Sequence, residues 1–315
     1  FGLSYSLSLK AFYRHNSLFF VCLTIMIFKI SFNNFANSLC KSSNKNHGAM
    51  KKIGILGGGW LGLALALEAK KKGHQVKVTS TTEKGVKLLQ NKGLSAQFLK
   101  LSESSIMGKI DFFKDIDTLL INIPPGLRKN PQRDYVALVE QIVEKAEAYK
   151  IQRVLFTSST SVYGFQEGII TETSELLGDS PSAQQIIKVE QKLLKNKNLE
   201  SCIVRLGGLM GPDRHPIFTL SGKKNLPNPL SPINFIHQKD AIAIILTLIE
   251  NWSGNQIFNA VTPYHPSRET YYSQMAEIAQ LPPPSFEKTG VIRGCVSSEK
   301  ACSELHFTFK VKNLL

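Results

Sequence analysis

The sequence has little of what staples a small secreted fold or threads a membrane. Cysteine occurs five times in 315 residues, as Cys22, Cys40, Cys202, Cys295 and Cys302. The number is odd, the spacing is wide and no Cys-x-x-Cys occurs, which argues against a disulfide framework and a zinc site and points to a reducing compartment. No metal site is expected. The apolar run Leu18 to Phe28, LFFVCLTIMIF, is shorter than the roughly 20 residues a spanning helix needs, so stable membrane insertion is not expected. Basic clusters interleaved with aromatics are missing, which argues against nucleic acid as a partner. There are no internal repeats.

Acidic residues are also scarce. Lys and Arg number 38 against 24 Asp and Glu, a formal charge of +14. A solvated basic surface is the plain reading, and steering of an anionic small molecule such as a dinucleotide is the specific one. Residues 1–49 hold no acid at all. There, the apolar run with Lys10 and Arg14 before it fits the apolar region of a signal peptide. A Ser- and Asn-rich organelle transit segment is a second reading, and translation of non-native sequence ahead of Met50 is a third. The segment is expected to be non-native or a removable presequence. The protein would be cytoplasmic in the first case, and organelle-targeted or exported in the second.

Residues 52–56, KIGIL, form a short apolar strand, and GGGWLG (57–62) follows at the opening of a helix. Gly57 permits the tight turn, Gly59 lets backbone approach a pyrophosphate, and Gly62 lets helix pack on strand. The helix start offers N–H groups and a positive dipole end to phosphate. With the strand QVKVTS (75–80) next, the motif has the context of a dinucleotide site, to which Trp60 and Leu61 also belong. An NAD site usually carries an acid about 20 residues beyond the glycines. Here Ser80 takes that place, followed by Thr81, Thr82 and Lys84. These groups suit a 2′-phosphate, so NADP is expected over NAD. They also suit a turn and helix cap.

The remaining pattern predicts a strand at 97–101, a buried apolar strand over 118–126 that ends in a Pro-Pro-Gly turn, a strand over 153–164 that breaks into a Ser/Thr-rich loop, and helices over 131–150 and 182–194. Ser180 is the expected cap of the second helix, with Pro181 at its first position. A strand and turn at 202–212, a helix at 234–250 and a strand at 255–261 complete an alternating order. The fold class is α/β, a doubly wound parallel sheet (Rossmann) with a smaller, irregular C-terminal substrate lobe. The expected divisions are 1–49, a Rossmann domain over 50–205 and a lobe over 206–315, with about 234–261 returning to the sheet. Ligands of such sheets sit at the carboxyl ends of the strands.

These stretches resemble a family. The glycine motif, IPPG (123–126), SSTSVYG (158–164), IVRLGGLMGP (203–212) and FIHQKDAIAIIL (235–246) occur in the order seen in extended short-chain dehydrogenases and NAD(P)-dependent epimerases and dehydratases. IGILGGGWLG, FTSSTSVYG and GLMGPDRHP are most similar to an atypical, YeeZ-like subgroup of NAD(P)-binding oxidoreductases, over essentially 50–315. The resemblance implies that Ser159 is the catalytic hydroxyl and that Thr157 and Ser158 line the nicotinamide side. It sets Pro124 and Pro125 along the cofactor's middle and Arg214 and His215 in a loop facing substrate. His215 is then a candidate proton source, Arg214 and His237 are candidate substrate contacts, and Asp240 is structural.

The resemblance also exposes a gap. Relatives with the usual chemistry carry Tyr-x-x-x-Lys, the lysine lowering the tyrosine's pKa. Aligned on Lys188, the tyrosine position holds Gln184, which cannot transfer a proton near neutral pH. In a second register, with Glu190 one turn beyond, the pair falls on Ser182 and Ile186. This register fits the subgroup better. No tyrosine lies between Tyr163 and Tyr264. Either His215, another lobe residue or a water supplies the proton, or no such acid is needed, or the site binds NADP without turnover. The expected function is an NADP-dependent oxidoreductase-like enzyme acting on a small molecule. A non-catalytic NADP sensor or scaffold is the alternative, and a nucleotide-sugar epimerase or dehydratase stands third. A homodimer is left open.

Overall fold

The computed structural model describes residues 49–312 and 314. The chain divides into two units, Phe1–Ala49 and Met50–Leu315. The expected presequence belongs to the first unit and, apart from Ala49, lies outside the described residues.

In the second unit β1 (Lys52–Leu56), α1 (Trp60–Lys71), β2 (Gln75–Ser80), α2 (Glu83–Asn91) and β3 (Ser95–Leu101) come first, with the short β4 (Ile106–Gly108) behind them. Next are β5 (Thr118–Ile121), α3 (Tyr135–Ala148), β6 (Arg153–Ser159), β7 (Ile169–Ile170), α4 (Pro181–Lys195) and β8 (Glu200–Leu206). The last part holds β9 (Gly208–Met210), α5 (Ile217–Leu220), β10 (Phe235–His237), α6 (Gln238–Glu250), β11 (Gln256–Ala260), α7 (Arg268–Ile278), β12 (Cys295–Val296) and α8 (Glu299–Glu304).

Eight strands form one sheet in the order β11-β8-β6-β5-β1-β2-β3-β4. Every pairing in it is parallel except β3 with β4. Covered on both faces, its strands need apolar side chains pointing both ways; all four residues of β5 are buried. One apolar layer takes side chains from α1, α2, α6 and α8, the other from α3 and α4. A third, smaller cluster joins Met210, Ile217, Ile233, Tyr271, Tyr272 and Met275 beside the sheet. The Rossmann-like α/β class is thus the one the sequence pattern predicts.

Local chemistry sets the boundaries. Helix α3 starts at Tyr135 rather than near 131, because the Asp134 side chain accepts from Ala137 N at 2.9 Å and caps it there. Ser180 caps α4 by accepting from Ala183 N, with Pro181 at the first position. β5 stops at Ile121, short of Pro124 and Pro125, whose missing N–H groups cannot extend a ladder. The order of strands reverses between β1 and β5, so the crevice at their carboxyl ends is the expected ligand position.

Candidate active site: a cleft and an adjoining cavity

The glycine turn between β1 and α1 is held from three sides. Gly57 N donates to Thr79 Oγ1 at 3.2 Å and Gly58 N to Thr79 O at 2.8 Å. Asn122 Nδ2 donates to Gly57 O at 3.1 Å. Gly57 has φ +103°, which favours glycine, and a Cβ on Gly62 would sit 2.0 Å from Gly57 O. A Cβ on Gly59 would meet nothing within 4 Å. The turn is therefore closed toward the protein and open at Gly59.

Gly59 is also the residue before α1, and no side chain caps that helix; its first turn holds no acid. Free N–H groups at a helix start attract anions. They face a cleft of about 600 Å³ lined by Gly59, Trp60, Leu61, Asn122, Pro125 and Arg128, and further along by Thr157, Ser159, Ile186 and Arg214. Tyr135 Oη donates to Ile123 O at 2.6 Å and Arg133 Nη1 to Pro125 O at 3.3 Å, which fixes the proline loop along this wall. The cradle fits a dinucleotide.

A second cavity of about 710 Å³ adjoins it, and Ser159, Gly207 and Gly208 line both. Its wall includes Asp179, Ser180, Asn228, Asn234, Arg268 and Arg293. Arg268 Nη1 donates to Pro227 O at 2.8 Å, and its guanidinium lies 5.9 Å from the Phe286 ring centre.

Strand β6 sorts the hydroxyls by alternation, since successive side chains leave a strand on opposite faces. Thr157 Oγ1 donates to Ile121 O at 3.1 Å and Asn122 Oδ1 at 3.2 Å. Ser159 Oγ accepts from Ser161 N at 3.2 Å, which leaves its own proton to donate. Ser158 turns the other way: its hydroxyl donates to Glu190 Oε1 at 2.5 Å in the core. Glu190 is ion-paired there with Arg205, Nη2 to Oε2 at 2.6 Å, both nearly inaccessible to water. Arg205 Nη1 donates to Tyr163 Oη at 2.9 Å, and Tyr163 Oη donates to Asn259 Oδ1 at 2.6 Å. Burial pushes the Tyr163 phenol up, against the pull of Arg205. With its oxygen engaged on both sides, Tyr163 belongs to the framework.

The remaining candidates are dispersed. Ser80 Oγ accepts from Thr82 N at 3.4 Å, and Thr82 Oγ1 caps α2 by accepting from Gly85 N at 3.1 Å. These residues and Thr81 lie at the end of β2, Lys84 lies in the first turn of α2, and none of them lines the cleft. His215 accepts from Ile217 N at Nδ1, 3.0 Å, and meets Tyr271 Oη through Nε2 at 2.8 Å. Burial lowers its pKa. His237 caps α6, with Nδ1 accepting from Lys239 N at 3.1 Å. Burial lowers its pKa as well, against the nearby Asp240. Neither histidine lines the cleft or the cavity. The Asp240 carboxylate is buried and accepts from Lys310 N and Val311 N at 2.9 and 3.0 Å. Gln184, whose side-chain amide donates to Gly178 O, and Lys188 are exposed on α4, while Ile186 faces the cleft.

The site also holds residues that the motifs did not single out. Asn122 and Arg128 flank the expected Pro124 and Pro125, so the strand end itself was the signal for them. Arg268 and Arg293 arrive from segments that carry no motif. No group of three or more His, Cys, Asp or Glu able to hold a metal occurs among the described residues, and no helix there is long and apolar enough to cross a membrane.

Comparison with known proteins places this geometry. Residues 53–260 match the model of the NAD dependent epimerase/dehydratase family. The chain is 33% identical over 268 residues to Protein YeeZ of Escherichia coli K12, covering 83% of this chain and 96% of that protein. Among solved structures, MoeE5 in complex with UDP-glucuronic acid and NAD superposes with a TM-score of 0.68 at 20% identity, covering 82% of this chain and 94% of the other. UDP-glucose 4-epimerase of Thermotoga maritima, with UDP-glucose, gives 0.68 at 16% identity over the same shares. At such identities the two structures attest the fold.

Proposed function

Because the chain belongs to the NAD dependent epimerase/dehydratase family, we propose that it is an NADP-dependent oxidoreductase-like enzyme that works without the Tyr-x-x-x-Lys pair. The observation that carries this is the position of Ser159 on the seam between the dinucleotide cleft and the larger cavity. A hydroxyl there meets a substrate oxygen at the place where cofactor and substrate must touch. The dinucleotide, when bound, supplies the hydride acceptor or donor.

The other residues bind and orient. The open start of α1 and Gly59 take the pyrophosphate. Pro124 and Pro125 wall the middle of the cleft, and Thr157, fixed by Asn122, borders the nicotinamide end. Ile186 makes apolar the position that a lysine would fill in the second register. With Ser80 where an NAD site usually carries its acid, Ser80, Thr81, Thr82 and Lys84 accept a 2′-phosphate at the end of β2. The substrate is a small anionic molecule, held in the larger cavity by Arg268 and Arg293. Arg214 sits at the cleft mouth. Since both nitrogens of His215 are engaged within the lobe, a water at the seam is the simplest proton source.

NADPH fluorescence in the presence of a fractionated small-metabolite extract tests this. Enzyme-dependent loss of NADPH is expected, with NADH binding markedly weaker; equal affinity would sink the 2′-phosphate assignment. Ser159→Ala should leave NADPH affinity nearly intact and abolish turnover, and loss of binding instead would make Ser159 a cofactor contact.

A second reading, nucleotide-sugar epimerase, is favoured by one observation: a cavity of about 710 Å³ beside the cleft, with two arginines in its wall. Interconversion of UDP-sugars with no net NADPH loss would select it. Stable binding with neither reaction would select a sensor.

A further inference from the structure

The cleft holds a device that the motif alone does not predict. Trp60, inside the glycine motif, lies under Arg214, whose guanidinium carbon is 5.2 Å from the indole ring centre. The turn carrying Arg214 rests on the same indole: a Cβ at Gly211 would come within 2.8 Å of it. That turn is closed by two backbone bonds, Gly211 N to Arg214 O and Arg214 N to Gly211 O, each 3.0 Å. From the start of α6, Gln238 Nε2 donates to Trp60 O at 3.0 Å. The glycine turn and the lobe are thus fastened together at one residue, through its indole and its backbone carbonyl.

Arg214 lines the cleft beside Gly59 and Leu61, and Arg128 lines it from the loop after β5. Neither has a carboxylate within ion-pair distance among the described residues. A helix start carries only about half a positive charge. A dinucleotide's pyrophosphate brings two negative charges. Guanidinium groups match phosphate oxygens in shape and charge, and stacking on an aromatic face fixes their plane beforehand.

We propose that Arg214 and Arg128 form a two-arginine clamp on the cofactor's pyrophosphate, with Trp60 as the positioning residue that holds Arg214 in place. This rests on the dinucleotide reading above and reassigns Arg214 from substrate to cofactor. The clamp grips phosphates common to NAD and NADP, so it sets affinity and leaves the choice between them to the end of β2.

Calorimetric titration of the full chain with NADPH and with NADH, without substrate, tests it. Arg214→Gln and Arg128→Gln should each weaken both ligands by the same factor, about ten-fold for a lost charge-assisted contact. Arg214→Lys should restore only part of the loss, and the salt dependence of binding should become shallower in both glutamine variants. Trp60→Leu should weaken binding about three-fold where Arg214 is present and not at all in the Arg214→Gln background; an equal loss in both would show a merely structural indole. Unchanged affinity in Arg214→Gln, with circular dichroism and melting like the unsubstituted chain, overturns the clamp. A loss confined to NADPH also overturns it, because it puts Arg214 on the 2′-phosphate. An unsubstituted chain that binds neither ligand overturns the dinucleotide reading itself, a result separable from the other two.

Discussion

The cleft and the cavity beside it share three residues and little else. The cleft is built at strand ends by four short stretches, 59–61, 122–128, 157–159 and 206–214, with Ile186 added from α4. Its key feature is backbone. The cavity draws on 159–170, 179–180, 227–235, 268–272 and 293–296, and its key features are side chains. Backbone that must bend or lie open leaves glycine and proline in fixed order. A wall of side chains gathered from distant segments leaves no spacing to read. One site is a motif; the other is a consequence of folding.

The two sites meet at β6 and β8, and the largest expected effect lies under that shared wall. Glu190 and Arg205 are buried against each other with Ser158 and Tyr163 bonded to them. Removing one charge strands the other, at about 3–5 kcal/mol. Glu190→Gln or Arg205→Met alone should lower stability by that order in urea unfolding, and the double variant Glu190→Leu/Arg205→Met should recover most of it. If the single variants are mild, the wall is less dry than its geometry implies.

An intermediate effect separates the two glycine roles. Gly62→Ala puts a methyl against Gly57 O, so it should both destabilise the chain, by about 1–3 kcal/mol, and abolish NADPH binding. Gly59→Ala puts a methyl into open space, at the position before α1. It should change stability by less than about 1 kcal/mol while weakening binding at least about ten-fold. Thermal melts and titrations of the same two proteins check both. The larger cavity's ligands should be indifferent to Gly59→Ala.

The smallest effect concerns the lobe. Burial lowers the His215 pKa in the folded chain, below the ordinary value of about 6.5. The unfolded chain therefore takes up the proton first as pH falls. This stabilisation is complete above about pH 6.5, declines through the interval down to the depressed folded value, and is flat below it. Melting temperatures between pH 8 and 5 should show a shallow decline that His215→Asn reduces, with His237, also lowered by burial, supplying a further part. An unchanged slope would show that the imidazole is wetter than its contacts suggest.

Much of the fold was legible because it repeats a simple alternation. β1, β2 and the capped start of α4 fall where apolar runs, Ser180 and Pro181 predict them. The early start expected for α3 failed because periodicity cannot rank Pro131 against the cap at Asp134. The edge strand β4 and the β7–β12 pair were invisible, being two or three residues long and defined only by partners far away in sequence. Ser159, the last residue of β6, could be singled out only through the family resemblance carried by SSTSVYG. Where the Ser158 hydroxyl goes could not, since it depends on Glu190 and Arg205 arriving behind β6.

The uncapped start of α1 reaches beyond binding into the protein's life in a cell. A helix end that waits for an anion is less secure when the anion is scarce. A ligand present at a hundred times its dissociation constant adds about 2.7 kcal/mol to stability. Shifts of about 1–2 kcal/mol change a protein's abundance several-fold through proteolysis and chaperone triage. Nothing needs to sense the shortage: a chain whose first turn is finished by its ligand would rise and fall in amount with that ligand's supply.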